Sequence, residues 1–178
     1  MMRHSLIVIL LASVMAACSS SPPDGLTVVE DFDINRYTGR WYEIARLDHR
    51  FERGLSNVTA EYTLQENNDV AVLNRGYDEE EQRWDEAEGT AKFVDEPDRG
   101  SLKVSFFGPF YGGYHIIALD QANYQWAMIS GPSRDYLWIL ARDPTLAPDI
   151  YQNLTDQART SGFATDALIE VDQQRHLP

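Results

Sequence analysis

Few side chains in this sequence stand at spacings that could do chemistry, and the pair that stands out points to shape rather than reaction. Gly39-Arg40-Trp41-Tyr42-Glu43-Ile44-Ala45-Arg46 lies early in the chain, and a lone Arg142 closes a late run, Tyr136-Leu137-Trp138-Ile139-Leu140-Ala141-Arg142. A guanidinium laid across an indole face contributes roughly 0.5–2 kcal/mol, more as water is excluded. Gly39, Trp41 and Arg142 therefore suit one structural job: closing the end of a small β-barrel with the Trp41 indole. A barrel plugged at one end is a cup at the other, shaped to hold one greasy molecule.

The other chemistry-bearing residues fall short of a site. His49, His115 and His176 have no metal-ligand spacing, and none pairs with Cys18. The acidic run Asp78-Glu79-Glu80-Glu81, with Asp85, Glu86 and Glu88, lacks the spacing and central glycine of a calcium loop and reads as a solvated hairpin. Ser130-Gly131-Pro132-Ser133 is no nucleophile elbow, because no G-x-S-x-G occurs. No catalytic residue, metal site or cofactor is expected. An enzyme on the same barrel would need a catalytic pair inside the cup, where the inward residues read as aromatic and aliphatic.

The elements that must position Trp41 and Arg142 read as antiparallel strands. Residues 31–37 form one helical turn ended by Gly39. Runs at 41–47, 58–64, 70–77, 82–94, 102–106, 114–119, 124–129 and 136–142 follow at short, even spacing, split by turn signals such as Asn67-Asn68-Asp69 and Gly131-Pro132-Ser133. Gly108 to Gly113 interrupt the pattern. Eight such strands predict an all-β, up-and-down antiparallel barrel, just wide enough inside for one small ligand or for side chains alone. Residues 145–159 change to helical period through Ile150, Leu154 and Ala158, with Gly162 as the stop. The late strands are apolar on both faces, as a sheet covered by a helix should be. A C-terminal helix packed on the outside of the barrel is therefore expected, then a last short strand at 167–171.

The cup wall follows from alternation. Tyr62 shares parity with Ala60 and Leu64; Phe93 with Ala87, Gly89 and Ala91; Phe106 with Leu102 and Val104; Tyr136 and Trp138 with Arg142. With Tyr114, these aromatics are the candidate ligand-binding residues. The small residues Ala87, Gly89 and Ala91 leave room for cargo, whereas a barrel filled solid by the same aromatics would be a structural protein without ligand. Arg50, Phe51, Arg53, Phe110 and Tyr111 are the candidate rim. The two arginines either meet an anionic head group or pair with local acids. Phe107, Phe110 and Tyr111 exposed together would form an apolar patch fit for a membrane, the ligand mouth or a homodimer partner.

Composition sets the context. The chain has 178 residues, 15 Lys and Arg against 28 Asp and Glu, and a net charge of −13. Arg3 and the apolar run from Leu6 to Ala12 read as a signal peptide, residues 1–17, too short to span a bilayer. Met15-Ala16-Ala17-Cys18 resembles the bacterial lipoprotein box, which makes Cys18 the acylated first residue. Removing residues 1–17 takes away Arg3 alone and leaves a net −14. Such a surface repels nucleic acid and anionic head groups, so membrane attachment must come from acyl chains. Ser19 after the cysteine resembles lipoproteins sent to the outer membrane. One cysteine permits no internal disulfide. Residues 18–28 are read as acylated cysteine and flexible tether, 29–172 as the single folded domain and 173–178 as a polar tail.

Three segments together resemble the lipocalins, specifically the bacterial outer-membrane lipoproteins of the apolipoprotein-D-like branch. They are residues 37–46 running on to Phe51-Glu52-Arg53-Gly54-Leu55, residues 104–114 with Ala118-Leu119-Asp120 and Tyr124, and residues 131–142. The resemblance covers about residues 29–171. It implies binding and storage or transport of a fatty acid or lysophospholipid in the cup at the outer membrane, in envelope maintenance under stress.

Overall fold

A computed structural model describes residues 20–175. The expected signal peptide 1–17, Cys18 with its expected acylation, His176 and the end of the tail lie outside the described residues.

Asp33 opens a single helical turn, α1 (Ile34–Tyr37), by accepting from the Asn35 N–H at 2.9 Å. Nine strands follow among the described residues: β1 (Gly39–Arg46), β2 (Leu55–Leu64), β3 (Val70–Asp78), β4 (Arg83–Phe93), β5 (Ser101–Phe107), β6 (Phe110–Leu119), β7 (Trp126–Ser130), β8 (Leu137–Ala141) and β9 (Ile169–Glu170). Each of the first eight pairs antiparallel with its sequence neighbour, and β1 pairs with both β2 and β8. That double pairing closes an eight-stranded barrel and leaves no free edge where it holds. Short β9 lies on β1 at Ala45 and Arg46, where β1 no longer runs beside β2.

The helix α2 (Pro148–Thr160) starts three residues after the predicted position, with Pro148 in its first turn, where its missing N–H costs nothing. Its buried face, Leu154 and Ala158, packs with Phe163 on Ala45, Met128, Leu137 and Ile139 on the outside of the barrel. A second cluster fills the interior: Tyr37, Trp41, Tyr62, Val72, Leu102, Ile116, Ile129 and Leu140. On β8, Leu137 and Ile139 therefore face the helix while Trp138 and Leu140 face inward. That is why these strands lack polar positions.

Two expectations need correction. β6 resumes at Phe110, four residues before the predicted Tyr114, because the turn is only Gly108-Pro109 and the two following glycines lie in the strand. The tether is not flexible over its described part. Val28 is buried, Leu26 packs on the outer cluster, the Asp24 carbonyl accepts from Arg134 at 2.8 Å, and just beyond the tether the Val29 carbonyl accepts from Gly100 at 2.9 Å. The described part of the polar tail, residues 173–175, makes contacts with the barrel. Gln173 donates to the Glu43 and Val58 carbonyls at 2.8 and 2.9 Å, and the Arg175 guanidinium lies 4.0 Å over the Tyr77 ring. Backbone acceptors left between β1 and β2 make these polar residues useful there.

Candidate functional site

The barrel's two ends are set by strand direction. β1 leaves α1 and runs away from it, so the turns after β2, β4 and β6 lie at the Trp41 end. The connections 47–54, 79–82, 108–109 and 131–136 surround the opposite mouth.

At the closed end, Trp41 is fully buried and its indole N–H donates to the Tyr37 carbonyl at 2.8 Å. The Arg142 guanidinium carbon lies 4.0 Å from the Trp41 ring centroid. Its N–H groups donate to the Arg36, Arg40, Tyr37 and Tyr124 carbonyls at 2.7, 2.9, 3.2 and 3.2 Å. Gly39 lies beside this plug at φ +92°, where a Cβ would stand 3.4 Å from Arg142 Nη1. Both the backbone angle and the crowding suit glycine.

Deeper in the cup three tyrosine hydroxyls meet. Tyr114 Oη lies 2.7 Å from Tyr37 Oη and 2.9 Å from Tyr62 Oη. Burial pushes all three hydroxyls above their ordinary range, so they stay protonated and able to donate. Phe93, Val104, Phe106, Tyr114 and Trp138 pack against this core while staying only partly buried. Phe106 lies across Gly89, where a Cβ would come within 2.8 Å of its ring. The space expected over the small residues of β4 is thus taken, at Gly89, by an aromatic side chain.

The mouth holds a charged cluster that sequence reasoning missed. Glu43, Arg46, His49 and Glu52 are all buried. Arg46 Nη1 donates to Glu43 Oε1 at 2.7 Å, and Nη2 reaches the Glu52 and Leu55 carbonyls at 2.8 and 3.0 Å, lashing the 47–54 loop to β1. Glu52 Oε2 accepts from Trp138 Nε1 at 3.0 Å and lies 3.0 Å from His49 Nε2. Burial, with the nearby Glu52 charge, holds the Glu43 carboxyl well above the usual carboxylate range. Glu52 is also penalised by burial, but His49, the Trp138 N–H and Arg46 outweigh it and hold its carboxyl low. In a regular strand Glu43 and Arg46, three apart, face opposite sides. The β1–β8 register shifts between Glu43 and Ala45 and brings them together, a signal no alternation rule contains.

The predicted rim divides. Phe51 is 60% exposed, stacks on His49 at 4.0 Å between ring centroids and lies 6.3 Å from Tyr136, which continues to Trp138 at 6.2 Å. Arg50 is exposed beside it. Arg53 pairs with Asp48 at 2.6 Å, the local alternative to a ligand head group. Across the mouth Phe107 and Phe110 are 82% and 71% exposed. Tyr111 does not join them: it is half-buried, with Lys103 Nζ 5.4 Å from its ring. It borders a concavity of about 720 Å³ that also touches Glu61, Leu73, Glu88, Thr63, Ala71 and Thr90. These residues are paired across β2, β3 and β4 and alternate with inward Tyr62 and Val72. The concavity lies mainly on the outer wall, and Val72, Gly89 and Phe106 of the inward parity also line it. Among the described residues no group of His, Cys, Asp and Glu could hold a metal ion. The acidic hairpin is occupied locally: Asp78 accepts from the Glu80 and Glu81 N–H groups, each at 2.8 Å.

Comparison with known proteins agrees with this geometry. Residues 32–173 match the model of a lipocalin-like domain. The chain is 52% identical over 163 residues to the outer membrane lipoprotein Blc of Escherichia coli (strain K12), covering 91% of this chain and 92% of that one. It is 33% identical over 159 residues to bovine apolipoprotein D, covering 82% and 79%. In fold it resembles the cockroach allergen Per a 4, with a TM-score of 0.66 at 19% identity over 86% of this chain and 96% of that one.

Proposed function

The chain belongs to the lipocalin family, and on that premise we propose that it holds one fatty acid or lysophospholipid in its cup at the outer membrane, anchored by acyl chains on Cys18. In this reading residues 1–17 are removed on export and the folded domain stores or carries lipid for envelope maintenance. The observation that carries it is the inward wall: Phe93, Val104, Phe106, Tyr114 and Trp138 lie between a sealed end and an open one and keep accessible surface. Apolar walls with a few placed polar groups suit an acyl tail with a polar head. Each buried CH₂ contributes about 0.8 kcal/mol, so ten contribute roughly 8 kcal/mol before association costs. No bond is made or broken. The mouth cluster of Arg46, His49 and the two carboxyls stands where the head group would rest.

A second reading, a packed barrel without cargo, is favoured by Phe106 filling the space over Gly89. Native mass spectrometry of the Cys18→Ala form lacking residues 1–17, with organic extraction, separates them. A discrete adduct of fatty acid or lysophospholipid mass supports the lipid carrier. A bare protein that also refuses added lysophospholipid supports the structural role.

A further inference from the structure

We propose that the tip of the β5–β6 hairpin, Phe107 and Phe110, is a second membrane contact that works with the lipid anchor and turns the mouth of the barrel toward the bilayer. The proposal rests on the acylated Cys18 of the reading above. Phe107 and Phe110 are register partners flanking the Gly108-Pro109 turn, and both rings point into solvent. Two large apolar side chains presented together at a mouth mark an interaction surface rather than scattered surface residues.

The path of the N-terminal segment names the occupant. Val29 donates to the Ile116 carbonyl at 2.9 Å, and the Ser21 backbone lies beside the His115 ring, so the chain is docked on the outside of β6. Cys18 lies three residues upstream of Ser21, a reach of at most about 11 Å. Phe110 lies five residues along β6 from His115, about 17 Å toward the mouth. A bilayer that takes acyl chains at Cys18 therefore meets the hairpin tip while residues 23–29 stay docked. The anchor keeps this surface at high effective concentration, so the weak partition that two rings give suffices to orient the molecule.

Charge sets the tilt. The neighbouring hairpin carries Asp78, Glu79, Glu80 and Glu81 at the same end, where Arg175 pairs with Glu79 and Arg83 with Glu81, and the chain after residue 17 keeps a net charge of −14. An anionic surface repels that side of the mouth, so the contact is strongest on zwitterionic lipid. Cargo then passes between bilayer and cup across a short gap.

The test uses the acylated full chain in phosphatidylethanolamine–phosphatidylcholine vesicles, with an environment-sensitive dye on Phe107→Cys or, at the closed end, on Glu66→Cys. The dye at position 107 should shift to shorter wavelength and be quenched by brominated acyl chains at least threefold more than the dye at 66. Equal quenching overturns the proposal. So does a blue shift at 107 without vesicles that brominated lipid leaves unchanged, the signature of a second copy covering the tip. Mass analysis of the N-terminal peptide reports separately on the anchor. If Cys18 proves unacylated, the anchor reading and this cooperation with it both fail, while vesicle partition of wild type against Phe107→Ser/Phe110→Ser still isolates the tip. At least a tenfold loss is expected there, and no loss overturns the tip as a membrane contact.

Discussion

Arg142 covers the indole of Trp41 at 4.0 Å while its N–H groups serve four carbonyls of the segments around it, Arg36, Tyr37, Arg40 and Tyr124. One side chain thus seals the barrel, caps α1 and ties the β6–β7 turn. Trp41→Ala should cost about 3–5 kcal/mol, as other large-to-small core changes do. Arg142→Lys keeps the charge but loses the planar fork, leaving carbonyls unpaired at about 1–3 kcal/mol. Urea unfolding followed by far-ultraviolet circular dichroism measures both, and a wild-type midpoint for Trp41→Ala would remove the plug from the account.

Tyr114 is the middle of the hydroxyl triad, bonded to both Tyr37 and Tyr62. Tyr114→Phe leaves two buried hydroxyls short of a partner, with an expected loss of about 1–3 kcal/mol. Tyr62→Phe removes an end of the chain and should cost less. The ordering of the two unfolding free energies is the check.

Arg46 bridges Glu43 and the Glu52 segment. Arg46→Met strips a buried pair of its cation and should cost about 3–5 kcal/mol. Glu43→Gln should be milder, because burial already favours the protonated carboxyl. From the ordinary carboxylate value upward to the raised folded one, the folded state keeps a proton the unfolded chain has released, so stability falls as pH rises through that window. Melting curves across pH should show this slope in wild type and a shallower one in Glu43→Gln.

His115 is buried on the outer wall, 3.0 Å from Ser101 Oγ. Burial lowers its pKa from the ordinary 6.5, against opposing help from the Ser21 backbone and Asp95. As pH drops below 6.5 the unfolded chain takes up the proton first, so stability is lost in the window down to the folded value. His115→Gln should narrow the difference in unfolding free energy between pH 7 and pH 5. An unchanged difference would place the acid sensitivity elsewhere.

Gly89→Ala sets a methyl 2.8 Å from both the Phe106 ring and the Ser105 carbonyl oxygen. The backbone oxygen cannot yield as a side chain could, so overpacking of about 1–3 kcal/mol is expected. Thermal melting reads the loss, and comparison of lysophospholipid uptake shows whether Phe106 moves into the cup or out of it.

The sequence by itself determined the strand succession, the plug and the helix on its outer face, because each is written in local periods. Alternation marks one buried face, helical spacing marks Leu154 and Ala158, and doubly apolar strands mark a wall covered on both sides. It placed Tyr62, Phe93, Phe106 and Trp138 on the inward parity by the same rule. Only the tertiary structure decided the mouth. The register shift after Glu43 reverses the side on which Arg46 emerges, and the 47–54 loop then carries His49 and Glu52 to the same spot. Docking of residues 23–29 was equally hidden, since its partners, Gly100, Ile116 and Arg134, lie about 70 to 110 positions away. Local sequence states which face of a strand is apolar; a single extra residue in a ladder, and contacts between distant segments, decide what that face meets.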